Sequence, residues 1–151
     1  MPELSAGILL YRRTSDALEV FLVHPGGPFF SRKDHGAWSV PKGLVDPDED
    51  LLDAARREFV EETGHDVPDG DPHDLGEVRL KSGKCVRAFA VEGDVDAQAI
   101  VSNTFELVWP PKSGRTQTFP EVDRAGWFTL AAAADKLNAA QGDFLTRLPQ
   151  R

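Results

Sequence analysis

The chain has 151 residues, 40% of them hydrophobic and 28% charged, with a single cysteine, Cys85. That is the length of one domain able to build a core without disulfide or metal staples, and no apolar run reaches membrane-spanning length. A formal net charge of −8 argues against a nucleic-acid polymer as partner, and it means that a phosphate substrate would be repelled unless cations intervene.

The segment "LSAGILLYRR" (4–13) reads as a strand. No basic lead precedes its apolar residues, so it does not read as a signal peptide. With a lone cysteine that cannot pair within the chain, a reducing, cytoplasmic setting is expected. "LEVFLVH" (18–24) is a second strand, joined to the first by the turn "TSD" (14–16). "PGGPFFSRKDHG" (25–36) is loop, and "AWSVPKGLV" (37–45) is extended, because Pro41 keeps Val40 out of the helical region.

The period then changes from two to that of a helix over "DPDEDLLDAARREFVEETG" (46–64). Asp46 is the expected N-cap, Pro47 the first helical residue, Glu49 the partner in a capping box, and Gly64 the stop. After a polar loop, "LGEVRLK" and "KCVRAFAVEG" form a hairpin about Ser82-Gly83. "NTFELVWP" (103–110) is a strand, "PKSGRTQTFPEVD" (111–123) a loop, and "AGWFTL" leads into the helix "AAAADKLN". "AQGDFLTRL" supplies a last helical turn or two. Strands around one strong helix, with helical material at the end, give an α+β class or a mixed sheet in an α/β/α sandwich, in one domain over 1–151.

Glu58, Glu61 and Glu62 stand at i, i+3 and i+4, so their carboxylates share one face of that helix. Leu52, Ala55 and Phe59 share a neighbouring face that meets the sheet. A solvated acidic face is the ordinary explanation, but two costs oppose it. Acids near a helix C-terminus oppose the macrodipole, and Glu58 repels Glu62. A hard divalent cation, Mg²⁺ or Mn²⁺, would offset both, since such ions take oxygen ligands and bridge carboxylates to phosphates.

Residues 43–65 resemble the signature box of the Nudix hydrolases: Gly43, five residues, Glu49, seven residues, then Arg57-Glu58-Phe59-Val60-Glu61-Glu62-Thr63-Gly64. His65 departs from the aliphatic residue usual at the last place and reads as a packing change. The resemblance implies an α/β/α sandwich and hydrolysis of a nucleoside diphosphate linked to another moiety, X. It implies that Glu58, Glu61, Glu62 and the Gly43 carbonyl hold Mg²⁺ or Mn²⁺. Arg57 then orients the acids, with Asp53 or Glu61 in reach as partner, and Glu49 has a supporting role. The catalytic set that the resemblance implies is Glu62, Glu61, Arg57 and Glu121, the last from "FPEVDRAGWF", as metal ligand or base, with Asp123 as a decoy.

The lead-in Trp38-x-x-Pro41-Lys42-Gly43 resembles that of diadenosine and diphosphoinositol polyphosphate hydrolases, and Lys42 is a phosphate-contact candidate. Arg79, Lys81, Lys84 and Arg87 crowd into nine positions of an acidic chain. Lys81, Lys84 and Arg87 are therefore expected to line a phosphate channel. His24, Arg32, Lys33 and His35 are rim-loop candidates for phosphate, Phe29 and Phe30 for stacking on a base, and Trp109 is expected to be buried. The expected substrate is a small nucleotide or polyphosphate, leaning to a nucleoside triphosphate or dinucleoside polyphosphate, with a homodimer allowed. The alternatives are a non-catalytic nucleotide-binding module and a hydrolase of ADP-ribose or diphosphoinositol polyphosphate.

Overall fold

The computed structural model describes residues 3–15 and 17–149. Asp16, in the expected first turn, lies outside the described residues. β1 (Leu4–Arg13) is the hub of the sheet. It pairs antiparallel with β2 (Leu18–Pro25) at one end and with β3 (Lys42–Leu44) at the other, where Ala6 faces Gly43. On its other edge it runs parallel to β5 (Cys85–Glu92), which pairs antiparallel with β4 (His73–Arg79). β8 (Val122–Thr129) closes the far side against β2, giving the mixed order β4-β5-β1-β2-β8.

Two differences from expectation are informative. Residues 116–120, read as loop, form a strand, β7 (Thr116–Pro120), that pairs with β6 (Thr104–Val108) in a separate ribbon. Its Thr-Gln-Thr-Phe-Pro run has no buried face to generate an apolar alternation, so the pattern is faint. The central helix, α1 (Leu51–Thr63), begins five residues later than Asp46. Asp48 has φ of 65°, which a right-handed helix does not accommodate. Asp50 is the N-cap instead, its side chain accepting from the Asp53 N–H at 3.1 Å. Residues 46–49 form a turn that keeps one bond of the expected capping box, Asp46 N–H to Glu49 Oε1 at 3.0 Å. Gly64 ends α1 as expected, at φ 75°.

Side-chain alternation along the sheet divides the core into two layers. Ala6, Ile8 and Leu10 of β1 face α1, where Ala54, Ala55 and Phe59 are fully buried. Burying Phe59 stabilises this contact by about 2–3 kcal/mol. Leu9, Tyr11, Val20 and Leu22 face the other way, onto α2 (Leu130–Lys136), a 3-10 turn (Ala139–Gly142) and α3 (Asp143–Thr146). The result is the expected α/β/α sandwich, with the acidic face of α1 turned toward β3. No helix among the described residues is long and apolar enough to cross a membrane.

Candidate active site

The backbone of β3 lies directly under the acids of α1. A Cβ on Gly43 would stand 1.9 Å from Glu58 Oε1, so any larger residue would displace that carboxylate from where it lies. One residue earlier, the Lys42 N–H donates to Glu62 Oε1 at 3.2 Å. Burial is the main cause that raises both carboxyls above the usual range. Glu61 adds to the rise at Glu58, and Arg57 opposes it. Glu62 is pushed up to about 8, with Lys42 opposing and Glu58 and Glu121 adding.

Arg57 organises the remaining acids. Its Nε and Nη2 donate to the two oxygens of Glu49 at 2.9 and 3.0 Å. Its Nη1 donates to Glu58 at 2.6 Å and to Glu61 at 2.9 Å, and Nη2 also reaches the Leu44 carbonyl at 3.0 Å. Of the two partners expected four residues away, Glu61 is bonded and Asp53 is not. The hydrogen bonds it donates to Glu49, Glu61 and Glu58 hold the guanidinium firmly charged.

Glu121 arrives from the opposite side through a chain of backbone hydrogen bonds. The Asn103 N–H donates to the Glu61 carbonyl at 2.8 Å, an acceptor left open near the end of α1. Glu121 N–H donates to the Asn103 carbonyl at 2.9 Å, and Gly26 N–H to the Glu121 carbonyl at 2.8 Å. The outcome is two adjoining cavities that share Lys42, Glu62 and Glu121. One, about 150 Å³, is also lined by Pro25, Ser39 and Val122, and the other, about 310 Å³, by Gly43, Glu58, Glu61 and Asn103. Asn103 carries no local motif, and only its docking on α1 reveals it.

The donors around these cavities are oxygens, the type a hard divalent cation prefers. Among the described residues no three acids stand close enough to form a finished cation cage. Arg57 draws Glu58 and Glu61 to itself, and Glu62 takes the Lys42 N–H. The residues nevertheless fit such an ion, since Glu62 is confined with Glu58 and Glu121, and Lys42 is the one positive group set against these three carboxylates.

Other sequence candidates lie elsewhere. Arg87 is two strands from β3, ion-paired with Asp74 and Glu77. Lys81 and Lys84 flank the turn between β4 and β5, and none of the three lines either acidic cavity. The phosphate channel expected from them is not assembled here, because β1 lies between their hairpin and β3. His24 is fully buried and bonded to Asp123, not on the rim. Phe29 is 58% exposed and meets half-buried Trp109 edge-on at 5.4 Å. A larger cavity of about 720 Å³ opens at the other end of the sheet, where Arg12 covers Trp127 and is already paired with Glu19 and Asp94.

Solved structures share this architecture. The Ap4A hydrolase of C. elegans, in a binary complex, is 23% identical with a TM-score of 0.65, over 95% of this chain and 93% of that one. The MutT protein of Methanosarcina mazei Go1 is 25% identical with a TM-score of 0.59, over 97% and 92%. The NUDIX domain of Shewanella oneidensis NrtR, complexed with ADP ribose, is 17% identical with a TM-score of 0.64, over 97% and 86%. Sandwich and acidic helix together are those of the Nudix proteins, whose members are pyrophosphohydrolases. The NUDIX domain model matches residues 1–148, and the chain belongs to the Nudix family. An uncharacterized 17.7 kDa protein from the e-segB intergenic region of Enterobacteria phage T4 is 32% identical over 125 residues, 82% of this chain and 80% of its own length. Nudix hydrolases generally use divalent metals.

Proposed function

We propose that residues 1–151 act as one Nudix domain that hydrolyses a phosphoanhydride bond of a nucleoside diphosphate linked to X, using Mg²⁺ or Mn²⁺. The observation that carries this reading is the convergence of Glu62, Glu121 and Lys42 on one pocket from three separate elements. Glu58, Glu61, Glu62 and the Gly43 carbonyl are the residues to hold the cation, and Arg57 and Glu49 position them. When bound, the cation neutralises phosphate charge and activates water. Glu121 is exposed and, among the described residues, its carboxylate makes no hydrogen bond or ion pair, so it is free to take the proton of the attacking water. The water oxygen bonds to phosphorus as the bridging P–O bond breaks. Lys42 offers its ammonium to the phosphates at the pocket mouth.

The substrate reading leans to a nucleoside triphosphate or dinucleoside polyphosphate. The loop after β2 leaves from Pro25 and β6 leaves from Asn103, both pocket residues, and they meet again at Phe29 and Trp109. Trp109 stands roughly 17–20 Å along the ribbon from Asn103, leaving room for phosphates between pocket and ring. Arg32, Lys112 and Arg115 lie on the same two loops and make no ion pair among the described residues. A partly exposed aromatic pair beside unpaired cations suits a nucleobase with phosphates attached.

The test is a panel of nucleoside triphosphates, dinucleoside polyphosphates, ADP-ribose and diphosphoinositol polyphosphate, with Mg²⁺ or Mn²⁺ and analysis of products. Metal-dependent cleavage of base-bearing polyphosphates is expected. Nucleotide binding with no cleavage under any of these conditions would replace the hydrolase with a binding module.

A further inference from the structure

β8 does not stay in step with β2. Thr129 to Arg124 face Glu19 to His24 one for one, but Pro25 then faces Val122, leaving Asp123 without an opposite residue. Asp123 is therefore the extra residue of a β-bulge, a device that re-aims side chains and shifts the phase of the neighbouring chain. Glu121 directly precedes β8 and carries its pairing one residue further, since the Gly26 N–H donates to the Glu121 carbonyl at 2.8 Å. Side chains alternate along a strand, so a slip of one residue would turn Glu121 to the opposite face.

His24 packs against this bulge with no exposed surface. Its Nδ1 lies 2.8 Å from Asp123 Oδ1, and its Nε2 lies 2.6 Å from the Lys33 carbonyl oxygen. A carbonyl oxygen can only accept, so Nε2 carries a proton. A second proton lies between Nδ1 and the carboxylate. The ring is thus bonded at both ends, to the bulge and to the loop after β2. Trp38 closes over it, with ring centroids 5.2 Å apart. His24 and Asp123 do not line the acidic cavities, but their chain neighbours Pro25 and Val122 do.

We propose that His24 and Asp123 form a clamp on the β8 bulge, holding Glu121 on the face where it meets Glu62 and tying the rim loop to the same point through Lys33. Both are positioning residues, since neither reaches the pocket where the reaction takes place. The kinetic part of this inference rests on the hydrolase reading above, and the structural part does not.

Asp123→Asn and Asp123→Ala separate a clamp from simple bulk. An asparagine N–H can donate to an unprotonated Nδ1 and keep the link, whereas alanine cannot. In crystal structures, Asp123→Asn is expected to keep the bulge and Glu121 beside Glu62, and Asp123→Ala to lose both. In turnover, Asp123→Asn should stay within about threefold of the parent. Asp123→Ala should lower kcat by about 10²-fold, the low end expected for a displaced proton acceptor, with KM little changed. Added to Glu121→Gln, Asp123→Ala should cost nothing further, because both changes act on one group. Glu121 found in place in the Asp123→Ala crystal, losses that multiply, or an Asp123→Asn variant as impaired as Asp123→Ala would each overturn the clamp. If the parent protein cleaves no nucleotide, the hydrolase reading fails by itself, and the position of Glu121 in the two crystals still decides the clamp.

Discussion

Arg57 and Glu49, eight residues apart, are joined side-on by two hydrogen bonds of 2.9 and 3.0 Å. This fork fixes the guanidinium plane, and its remaining N–H groups then set Glu58 and Glu61. Lysine has the charge without the fork. Arg57→Lys is therefore expected to lower cation affinity or activity by about 10–100-fold, the usual effect of losing a group that orients ligands. Isothermal titration with Mn²⁺ and steady-state kinetics would check it. Parental values in both would show that the fork is not needed.

Gly43 makes a steric prediction. A Cβ there would collide with the Glu58 carboxylate. In Gly43→Ala either that side chain moves or the strand does, and a displacement near 1 Å can cost about 10²-fold in rate. The expected result is a folded protein, by circular dichroism, with kcat/KM reduced by that order.

Glu62 makes a pH prediction whose sign can be worked out. In the metal-free folded protein its proton is held to about pH 8, against an ordinary value of 4.5. Between these values the folded state binds more protons than the unfolded one, so stability falls as pH rises and levels off above the window. The fall attributable to Glu62 is on the order of 5 kcal/mol, and Glu58 contributes in the same direction. Melting of the metal-free protein from pH 5 to 8 should show this slope. Glu62→Gln should flatten it and abolish turnover while leaving the fold intact, and cation affinity should climb through the same window as the proton is displaced. A slope unchanged by Glu62→Gln would contradict the assignment.

The aromatic pair and the β4–β5 hairpin make opposite predictions. Stacking on a base is worth about 1–3 kcal/mol, so Phe29→Ala or Trp109→Ala should raise KM for a base-bearing polyphosphate by roughly 5–150-fold with kcat little changed. Quenching of tryptophan fluorescence by bound nucleotide offers a second readout. Lys81→Ala and Lys84→Ala, away from the acidic cavities, should leave both constants near the parental values. A larger effect at the lysines than at the rings would move the substrate to the hairpin.

What the residues announced by themselves was local. The spacing of Glu58, Glu61 and Glu62 settles that they share a face, because helical geometry depends only on neighbours along the chain. Arg57, four residues before Glu61, was legible for the same reason, as was the stop at Gly64. Long-range placement was not legible. Lys84 and Arg87 looked like a phosphate channel because their charge stands out in an acidic chain, yet strand order carries them away and Asp74 takes Arg87. His24 looked like a rim residue because it adjoins a glycine-rich loop, yet the sheet buries it and the bulge supplies its partner. Trp109, expected inside, is half-buried against Phe29 at the end of the ribbon that residues 116–120 complete.

Sequence alone thus determined the helix, its acidic face and the family to which they point, since each depends on contacts a few residues apart. Tertiary structure alone decided which distant groups join that face. Asn103 docks on α1, and it and Gly26 hold Glu121, already named by the resemblance, in place through backbone hydrogen bonds between separate elements, and such bonds leave no trace in side-chain identity.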